Sequence, residues 1–384
     1  MKLPRRLVAV AAALSATALV VTGCSSSAAE ESPYGAPVDG STVTSGLDGV
    51  SDDDRRFLEE LYQAAQESGQ TTVNLYSAYA PADPNSGLGV ALRAFEATFP
   101  GITVQSTLLS GAELFSRIDG EVASGNRQGD LLLNGPSNIG HFVKEGRLQP
   151  FDPPTARDLP AEFKQPDGLY TVPFQSLFGL VYNTDLVAED EVPTSLDEVL
   201  DPKWAGKVTF AQPNSYGPPD YSITTLHESG AIDEATLQRI ADFVPLEDRN
   251  AGAPGAVQSV AEGRYALAIW GPSQVAATLA SAGAPIAVGS IPDIWVLNGP
   301  GLGLLEDAPA EDAAKLLATW LYTPTAQKLI AEGSFNYGTV PGSPAPPGFP
   351  EVSGYDRLTI PASEFDAKIA DYRPTTEAVF GPAL

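Results

Sequence analysis

The sequence contains very few of the residues that form disulfide bonds or metal sites. Its 384 residues include one cysteine, Cys24, and two histidines, His141 and His227, which lie far apart. A single cysteine excludes an internal disulfide, and no Cys or His spacing typical of a structural zinc site occurs. The fold must therefore be held together by burial of apolar residues, which make up 43% of the chain. We predict no cofactor and no resident metal.

Positive charge is also scarce. The chain has 22 Lys and Arg against 48 Asp and Glu, a net charge of −26. Lys2, Arg5 and Arg6 are the three charged residues among the first 23, so the chain from residue 24 onward carries −29. So acidic a surface disfavours nucleic acid and electrostatic adhesion to anionic lipid. We predict no nucleic-acid partner.

The usual signals of a hydrolase are missing as well. No G-x-S-x-G nucleophile motif occurs, and neither histidine has a recognisable serine partner. Carboxylates are abundant, so a mechanism based on a carboxylate pair stays open from the sequence alone. We expect a binding protein rather than an enzyme.

The N-terminus has the features of an export signal. Three basic residues precede an apolar stretch over residues 7–21, which is short and interrupted for a membrane span. The stretch ends in Val21-Thr22-Gly23-Cys24, which resembles the lipobox of bacterial lipoproteins. The resemblance implies that residues 1–23 are a lipoprotein signal peptide and that Cys24 is lipidated, anchoring the protein on the extracytoplasmic side of the membrane. An ordinary secretory signal with a chance cysteine is the alternative. Residues 24–50, rich in Ser, Gly, Ala and Pro, read as a flexible tether.

Beyond the tether, apolar spacing alternates between the helical and the strand period. Ser51 is a predicted N-cap for the first helix, which Gly69 closes. Residues 73–145 then read as strand, helix, strand, helix, strand, helix, and further such units follow to residue 322. This order predicts an α/β fold with helices on both faces of open, mostly parallel sheets. Such sheets bind ligands in crevices beyond the carboxyl ends of their strands.

Several strings resemble the extracytoplasmic solute-binding proteins of ABC transporters, in the branch of ferric-ion, phosphonate and polyamine receptors. They are residues 61–65, 73–77, 95–104, 181–186 (VYNTDL), 201–208 (DPKWAGKV) and 313–330. The resemblance implies the two-lobed type II periplasmic-binding-protein fold, each lobe a mostly parallel sheet flanked by helices, with the ligand cleft between the lobes. We expect lobe 1 at residues 51–172, lobe 2 at 173–285, and the second part of lobe 1 at 286–384, including a C-terminal helix pair split at Pro374.

The same resemblance implies a function. It predicts a monomeric, lipid-anchored receptor that captures a small solute by lobe closure and delivers it to the transmembrane subunits of an ABC permease. A sensory or adhesive lipoprotein that reuses the fold without transport is the alternative from a different class.

Ligand-facing positions are expected in six loops between a strand end and a helix start, all without formal charge. Helix N-termini with Ser and Asn side chains suit an anionic or organic-phosphate-like solute, and aromatic residues supply apolar walls. The candidate ligand-binding residues are Ser77, Tyr79, Ser110, Gly111, Asn134, Ser137, Gln175, Ser176, Asn214, Ser215, Tyr216, Trp270 and Ser273.

Two other ligand classes stay open. Ferric-binding relatives bring two adjacent tyrosines to the metal, but the corresponding stretch here, residues 268–272, has none. Other phenolates are available at Tyr76, Tyr79, Tyr216, Tyr221 and Tyr337. A cation such as a polyamine or thiamine needs carboxylates and aromatic faces, and Asp83, Asp130, Asp220 and Asp293 lie near predicted strand ends.

Overall fold

The structure is a computed structural model that describes residues 34, 38–43, 45–80, 86–214, 218–352, 360 and 362–383. Three of the predicted functional residues lie outside the described residues, namely Cys24, Ser215 and Tyr216, as does Asp83 among the alternatives.

A five-stranded sheet with its flanking helices forms what we call the first lobe. Its strands are β1 (Thr72–Ser77), β2 (Thr103–Leu108), β3 (Leu131–Asn134), β4 (Leu148–Gln149) and β10 (Gly301–Leu305). Their order is β2-β1-β3-β10-β4, with β1 parallel to β2 and β3. β10 runs antiparallel to β3 and β4, because the chain re-enters this sheet from the other lobe.

A second sheet is built around one long strand and forms, with its helices, the second lobe. Its strands are β5 (Phe174–Asn183), β6 (Val208–Thr209), β7 (Leu267–Pro272), β8 (Ile286–Val288), β9 (Val296–Asn298) and β11 (Tyr337–Gly338). β5 pairs antiparallel with β7, β8, β9 and β11, and β6 with β7 is the parallel pair in this sheet. The expected parallel character therefore holds within β1–β3 and not here, since β7, β8 and β9 run back along β5.

Twelve α-helices are found in the described part of the chain. They are α1 (Asp52–Ser68), α2 (Leu88–Thr98), α3 (Gly111–Ser124), α4 (Pro136–Lys144), α5 (Leu196–Val199), α6 (Pro218–Glu228), α7 (Glu234–Phe243), α8 (Ala253–Ala261), α9 (Ser273–Ser281), α10 (Glu311–Trp320), α11 (Pro324–Ser334) and α12 (Ala362–Phe380). α1 begins and ends as the sequence predicts: the Ser51 hydroxyl accepts from the Asp54 amide, and Gly69 takes the left-handed conformation at φ 70°.

The expected boundaries differ from the structure in two places. Residues 286–298, predicted to belong to lobe 1, form β8 and β9 on β5 of the second lobe, so the chain returns to the first sheet near Gly299. The expected helix pair at 362–380 is one helix with Pro374 inside it, and its apolar residues pack in the core of the second lobe. From the sequence pattern, these two segments can be assigned to a lobe only by their order along the chain. In the structure, strand pairing and burial assign both of them to the second lobe.

Part of the predicted tether is packed rather than free. Gly46 is buried, and its carbonyl accepts a hydrogen bond of 3.0 Å from the Trp320 indole nitrogen. Tyr34 is 3% exposed, packs edge-on against Phe335 and Phe349, and its hydroxyl accepts from the amide of Val288. Tyr34 is a large aromatic residue in a segment of mostly small residues, and burying its ring is favourable.

Candidate functional site

A small cavity, about 30 Å³ in volume, lies between the two lobes, where the chain crosses from one sheet to the other. The first lobe contributes Pro136 of α4 and Gly301 of β10, and the second lobe contributes Tyr221 of α6. Its other lining residues are Glu162, Phe163, Tyr170, Val172, Gln175, Asn298, Gly299 and Ile360. Within the described chain no Lys, Arg or His lines this cavity.

The first residue of α4 lies at this cavity. Gly135 is the N-cap residue and makes no side-chain capping bond, while Pro136 at the first helical position has no N–H. The first amide groups that α4 can offer therefore belong to Ser137 and Asn138, which have no acceptor within the helix. Both residues are half-buried. A helix end of this kind attracts negative charge.

Asn134, predicted as a ligand contact, links the ends of two strands to the start of α4. Its side chain is fully buried, and its Nδ2 donates to the carbonyl oxygens of Tyr76 and Leu109, each at 3.3 Å. Its Oδ1 accepts from Asn138 Nδ2 at 2.9 Å. Both Nδ2 donors of Asn134 are therefore used within the protein, and its Oδ1 positions Asn138 in the first turn of α4.

Buried Ser77 and Ser176 are linked through half-buried Tyr79, and none of the three is among the residues that line the cavity. The Ser77 hydroxyl accepts from the Tyr79 amide at 2.9 Å, and Ser176 Oγ donates to Asn336 Oδ1 at 2.6 Å. The Tyr79 hydroxyl bonds the Ser176 side chain, and burial raises the pKa of Tyr79 to about 12. Its ring packs edge-on against Phe174 at 5.2 Å. Gln175, between Phe174 and Ser176, is the predicted residue from these loops that lines the cavity.

Asn214 is bound by the C-terminal part of the chain. Its Nδ2 donates to the Gly381 carbonyl at 2.7 Å, and its Oδ1 accepts from Thr376 Oγ1 at 2.6 Å. Its amide donates to Asp220 Oδ1 at 2.8 Å, in the first turn of α6. That helix starts with Pro218 and Pro219, which lack N–H groups. Asn214 is therefore tied both to the start of α6 and to the C-terminal segment.

Trp270 and Ser273 lie in the interior of the second lobe rather than in the cavity lining. Trp270 is 3% exposed, packs edge-on against Phe210 at 5.6 Å, and takes a left-handed backbone conformation at φ 52°. A bulky residue in that conformation is uncommon and is held there by its surroundings. The Trp270 indole nitrogen and the fully buried Ser273 hydroxyl have no hydrogen-bond partner among the described residues.

Ser110 and Gly111 begin α3 and are not among the residues that line the cavity. Ser110 is exposed and makes no side-chain capping bond, and Gly111 has φ 54°. Their role as ligand contacts remains a prediction.

The groups considered for metal or cation binding are mostly engaged elsewhere. Tyr221 lines the cavity, but its hydroxyl donates to the Leu297 carbonyl at 3.1 Å and burial raises its pKa. Asp130 accepts from the amides of Asn74 and Ala310 at 2.7 Å each. His141 and His227 pack on Phe115 and Tyr372. Within the described chain no group of three or more His, Cys, Asp or Glu could hold a metal ion.

Sequence reasoning missed most of the cavity. Tyr170, Asn298 and Ile360 belong to no predicted loop, although Asn298 stands at a strand end before the turn 299–301. Asn298 is 8% exposed, and its Oδ1 has no hydrogen-bond partner among the described residues. A polar residue directly before a Gly-Pro-Gly turn was the available signal for it.

Searching the described helices for a membrane span finds none of sufficient length and apolarity. Residues 91–352 match the family model described as bacterial extracellular solute-binding protein. A probable ABC transporter periplasmic-binding protein, y4fP of Sinorhizobium fredii, is 30% identical over 137 residues, and the match spans 35% of this chain and about a third (36%) of that protein's length. Iron uptake protein A2 of Synechocystis is 26% identical over 259 residues, covering 62% of this chain and 72% of the relative.

Solved structures share the fold. Iron-bound HitA from Pseudomonas aeruginosa superposes with a TM-score of 0.64 at 19% identity, covering 80% of this chain and 99% of its own. AfuA from Actinobacillus pleuropneumoniae, with exogenous fructose-6-phosphate bound, gives 0.62 at 16% identity, with 80% and 98% covered. At these identities the likeness concerns the fold, and it confirms the predicted two-lobed α/β architecture.

Proposed function

The chain belongs to the family of bacterial extracellular solute-binding proteins, and from that premise we propose that it is the receptor of an ABC importer. The predicted family resemblance is confirmed, and so is the prediction that the protein is not an enzyme, since its relatives are binding proteins of transporters. The proposed receptor captures its solute between the two lobes and passes it to the permease. Lobe closure stabilised by the solute is the corresponding mechanism.

The single observation that carries the site is the cavity between α4, β5 and α6. Its position between the lobes is where a closing receptor would hold a solute. Of the predicted residues we retain Gln175, which lines it, and Ser137, whose amide is at the adjoining helix end. Asn298, whose Oδ1 has no partner among the described residues, is added as a lining group that can accept a hydrogen bond, and Tyr221 is added as an aromatic lining residue.

A small anionic or organic-phosphate-like solute is the class we propose. The uncapped N-terminus of α4 offers amide donors at the cavity, and the partial positive charge of a helix end stabilises an anion without a salt bridge. Exposed Glu162 at the cavity edge is a carboxylate that would repel a highly charged anion. A solute with one anionic group and a polar organic part fits this lining better than a bare multivalent anion.

Ferric iron is the second candidate, because two relatives are named iron uptake proteins and one solved neighbour is iron-bound. Iron would need phenolates from Tyr170 and Tyr221, the two tyrosines of the cavity lining. Burial raises the pKa of Tyr221, which opposes its ionisation until a metal replaces the proton.

Membrane attachment through Cys24 is a further part of the proposal. It rests on the lipobox-like Val21-Thr22-Gly23-Cys24 after an apolar stretch. In the native host, Cys24→Ala should move the protein from the membrane fraction to the soluble fraction and abolish labelling by a radioactive fatty acid. Continued labelling of that variant would disprove lipidation at Cys24.

A thermal-shift screen tests the proposed function. The chain from residue 24, carrying Cys24→Ser, is screened against inorganic phosphate, phosphonates, sugar phosphates, ferric citrate, spermidine and thiamine. A ligand at 100 times its dissociation constant should stabilise the protein by about 2.7 kcal/mol. A shift with the anions alone supports the proposal, and a shift with ferric citrate alone replaces it with iron. Silence across the panel favours the sensory or adhesive alternative.

A further inference from the structure

The C-terminal helix α12 contacts both lobes. It packs along α4 of the first lobe and against α6 and α7 of the second lobe. Asp366 lies 3.9 Å from the Lys144 ammonium on α4, and the Lys368 ammonium lies 2.6 Å from Glu228 on α6. Ile360, just before the helix, lines the cavity together with Pro136 of α4. One helix therefore bridges the two walls of the cleft.

The attachment of α12 to the second lobe is extensive and buried. Phe365 packs against Tyr221 at 4.9 Å, and Phe380 packs edge-on against Phe210 at 5.8 Å. Both phenylalanines are less than 5% exposed and belong to the hydrophobic core of that lobe. Gln212 Nε2 donates to the Phe380 carbonyl at 2.9 Å, which adds to the bonds already described at Asn214.

The attachment to the first lobe is of a different kind. The ion pair that joins α12 to α4 is long, and its side chains are 55% and 35% exposed, for Lys144 and Asp366. Solvent-exposed pairs of this length contribute little stability. The apolar residues of α12 that are buried, including Ile369 and Tyr372, belong to the core of the second lobe. α12 packs more closely along α4 than along α6 or α7, but its buried apolar side chains belong to the second lobe, so separation at α4 exposes less apolar surface than separation from the second lobe.

We propose that α12 is an intramolecular strap across the cleft, which stays on the second lobe and must leave α4 before the cleft can open. The inference rests on the proposed function, because a strap regulates solute entry only if the cleft admits a solute. Because α12 must first separate from α4, part of any solute's binding free energy offsets the cost of shifting the protein from the strapped state to the open one. The strap therefore lowers the apparent affinity for the solute.

Two cross-links distinguish the strap from a merely structural helix. In a Cys24→Ser background, which removes the single native cysteine, Lys144→Cys with Asp366→Cys ties α12 to α4 through a short bifunctional maleimide. Glu228→Cys with Lys368→Cys ties the same helix to α6 and is the matched control. Hydrogen–deuterium exchange, followed without any solute, reports opening of the cavity-lining segments 135–138 and 298–301.

The α4 cross-link should slow exchange in both segments by about tenfold, because it blocks opening, while the α6 cross-link should change it by less than about twofold. Unchanged exchange with the α4 cross-link would overturn the strap. Equal slowing by both cross-links would overturn it too, since that result would reflect general stabilisation.

A charge reversal tests the same contact with the helix untethered. Asp366→Lys sets two ammonium groups against each other and should speed exchange in the same segments about two- to fivefold. Adding Lys144→Glu should restore the wild-type rate, and failure of that rescue would count against the strap. These exchange rates are measured without a solute, so they test the strap even if no ligand in the screen shifts the melting temperature. Conversely, the screen can identify a ligand even if the exchange experiments contradict the strap.

Discussion

The strand-to-helix connections of the two lobes, at Gly135 in the first and at Asn214 in the second, differ in their hydrogen bonding. On the first lobe, a strand leads through Gly135 into α4 with its first amides uncapped. On the second lobe, the corresponding stretch at Asn214 is bonded to Thr376 and Gly381 of the C-terminal segment, and its helix starts with two prolines. The first wall offers backbone donors at the N-terminus of α4, whereas the polar groups of Asn214 on the second lobe are bonded within the protein. Donors for an anion are therefore expected from the first wall.

The largest expected effect concerns Trp270 in the core of the second lobe. Trp270→Ala should lower the free energy of unfolding by about 3–5 kcal/mol, because it leaves a cavity beside Phe210 in the core. Urea denaturation checks this, with Leu108→Ala, 65% exposed, as a control expected to change stability by less than about 0.5 kcal/mol. A stable Trp270→Ala variant with weakened solute binding would return this residue to the binding site.

The next effect concerns the open helix end of the first wall. Ser137→Pro removes one amide donor at a helix position that tolerates proline, whereas Ser137→Ala keeps the amide and removes only the hydroxyl. A hydrogen bond to a charged group contributes about 1.5–3 kcal/mol, so Ser137→Pro should weaken binding of an anionic solute by at least about tenfold. Isothermal titration with the solute identified by the screen measures both variants, and equal affinities would remove the helix end from the site.

A smaller effect is expected where the C-terminal helix covers the second wall. Thr376→Val keeps the side-chain shape but leaves the buried Asn214 Oδ1 without its donor, at a cost of about 1–2 kcal/mol in unfolding free energy. Thr375→Val, on a half-buried neighbour, is the control and should be close to neutral. Equal stability of the two variants would mean that α12 is not held at Asn214.

The smallest effect contrasts the open α4 end with the capped start of α1. The Asp54 carboxylate accepts hydrogen bonds from Ser51 and Arg157. Burial acts to raise its pKa, and these bonds outweigh burial and lower it. A depressed pKa stabilises the fold above the unfolded value of about 3.9, and this contribution is lost as pH falls through the folded pKa. The stability difference between wild type and Asp54→Asn, measured by urea denaturation at a series of pH values, should therefore vanish in acid.

Local signals in the sequence predict local structure well. The string 201–208 has the turn-forming and apolar residues of a structural corner, and Asp201 Oδ1 indeed accepts from the Lys203 amide while Trp204 is 4% exposed. Lys203 lies 4.8 Å from the Trp204 ring. Turn residues, caps and apolar period act over a few positions, so these elements could be predicted from the sequence.

The candidate site was predicted only in part. Gln175 lines the cavity and Ser137 adjoins it, whereas Asn134, Ser176 and Asn214 have the same hydrogen-bonding chemistry but are engaged within the protein. A polar residue in a strand-to-helix loop looks the same in sequence whether its partner is a solute or another part of the chain. The partner of Asn214 lies 162 residues away, so no local pattern could reveal it.

The sequence by itself determined the family, the alternation of strands and helices, and the scarcity of positive charge, because each is written in residue types and their spacing. Only the tertiary structure decided which loops meet at the cavity, that residues 286–298 pair with β5, and that α12 crosses from the second lobe to α4. These features depend on contacts between distant segments, where burial and hydrogen bonding choose among partners that the sequence leaves equally available.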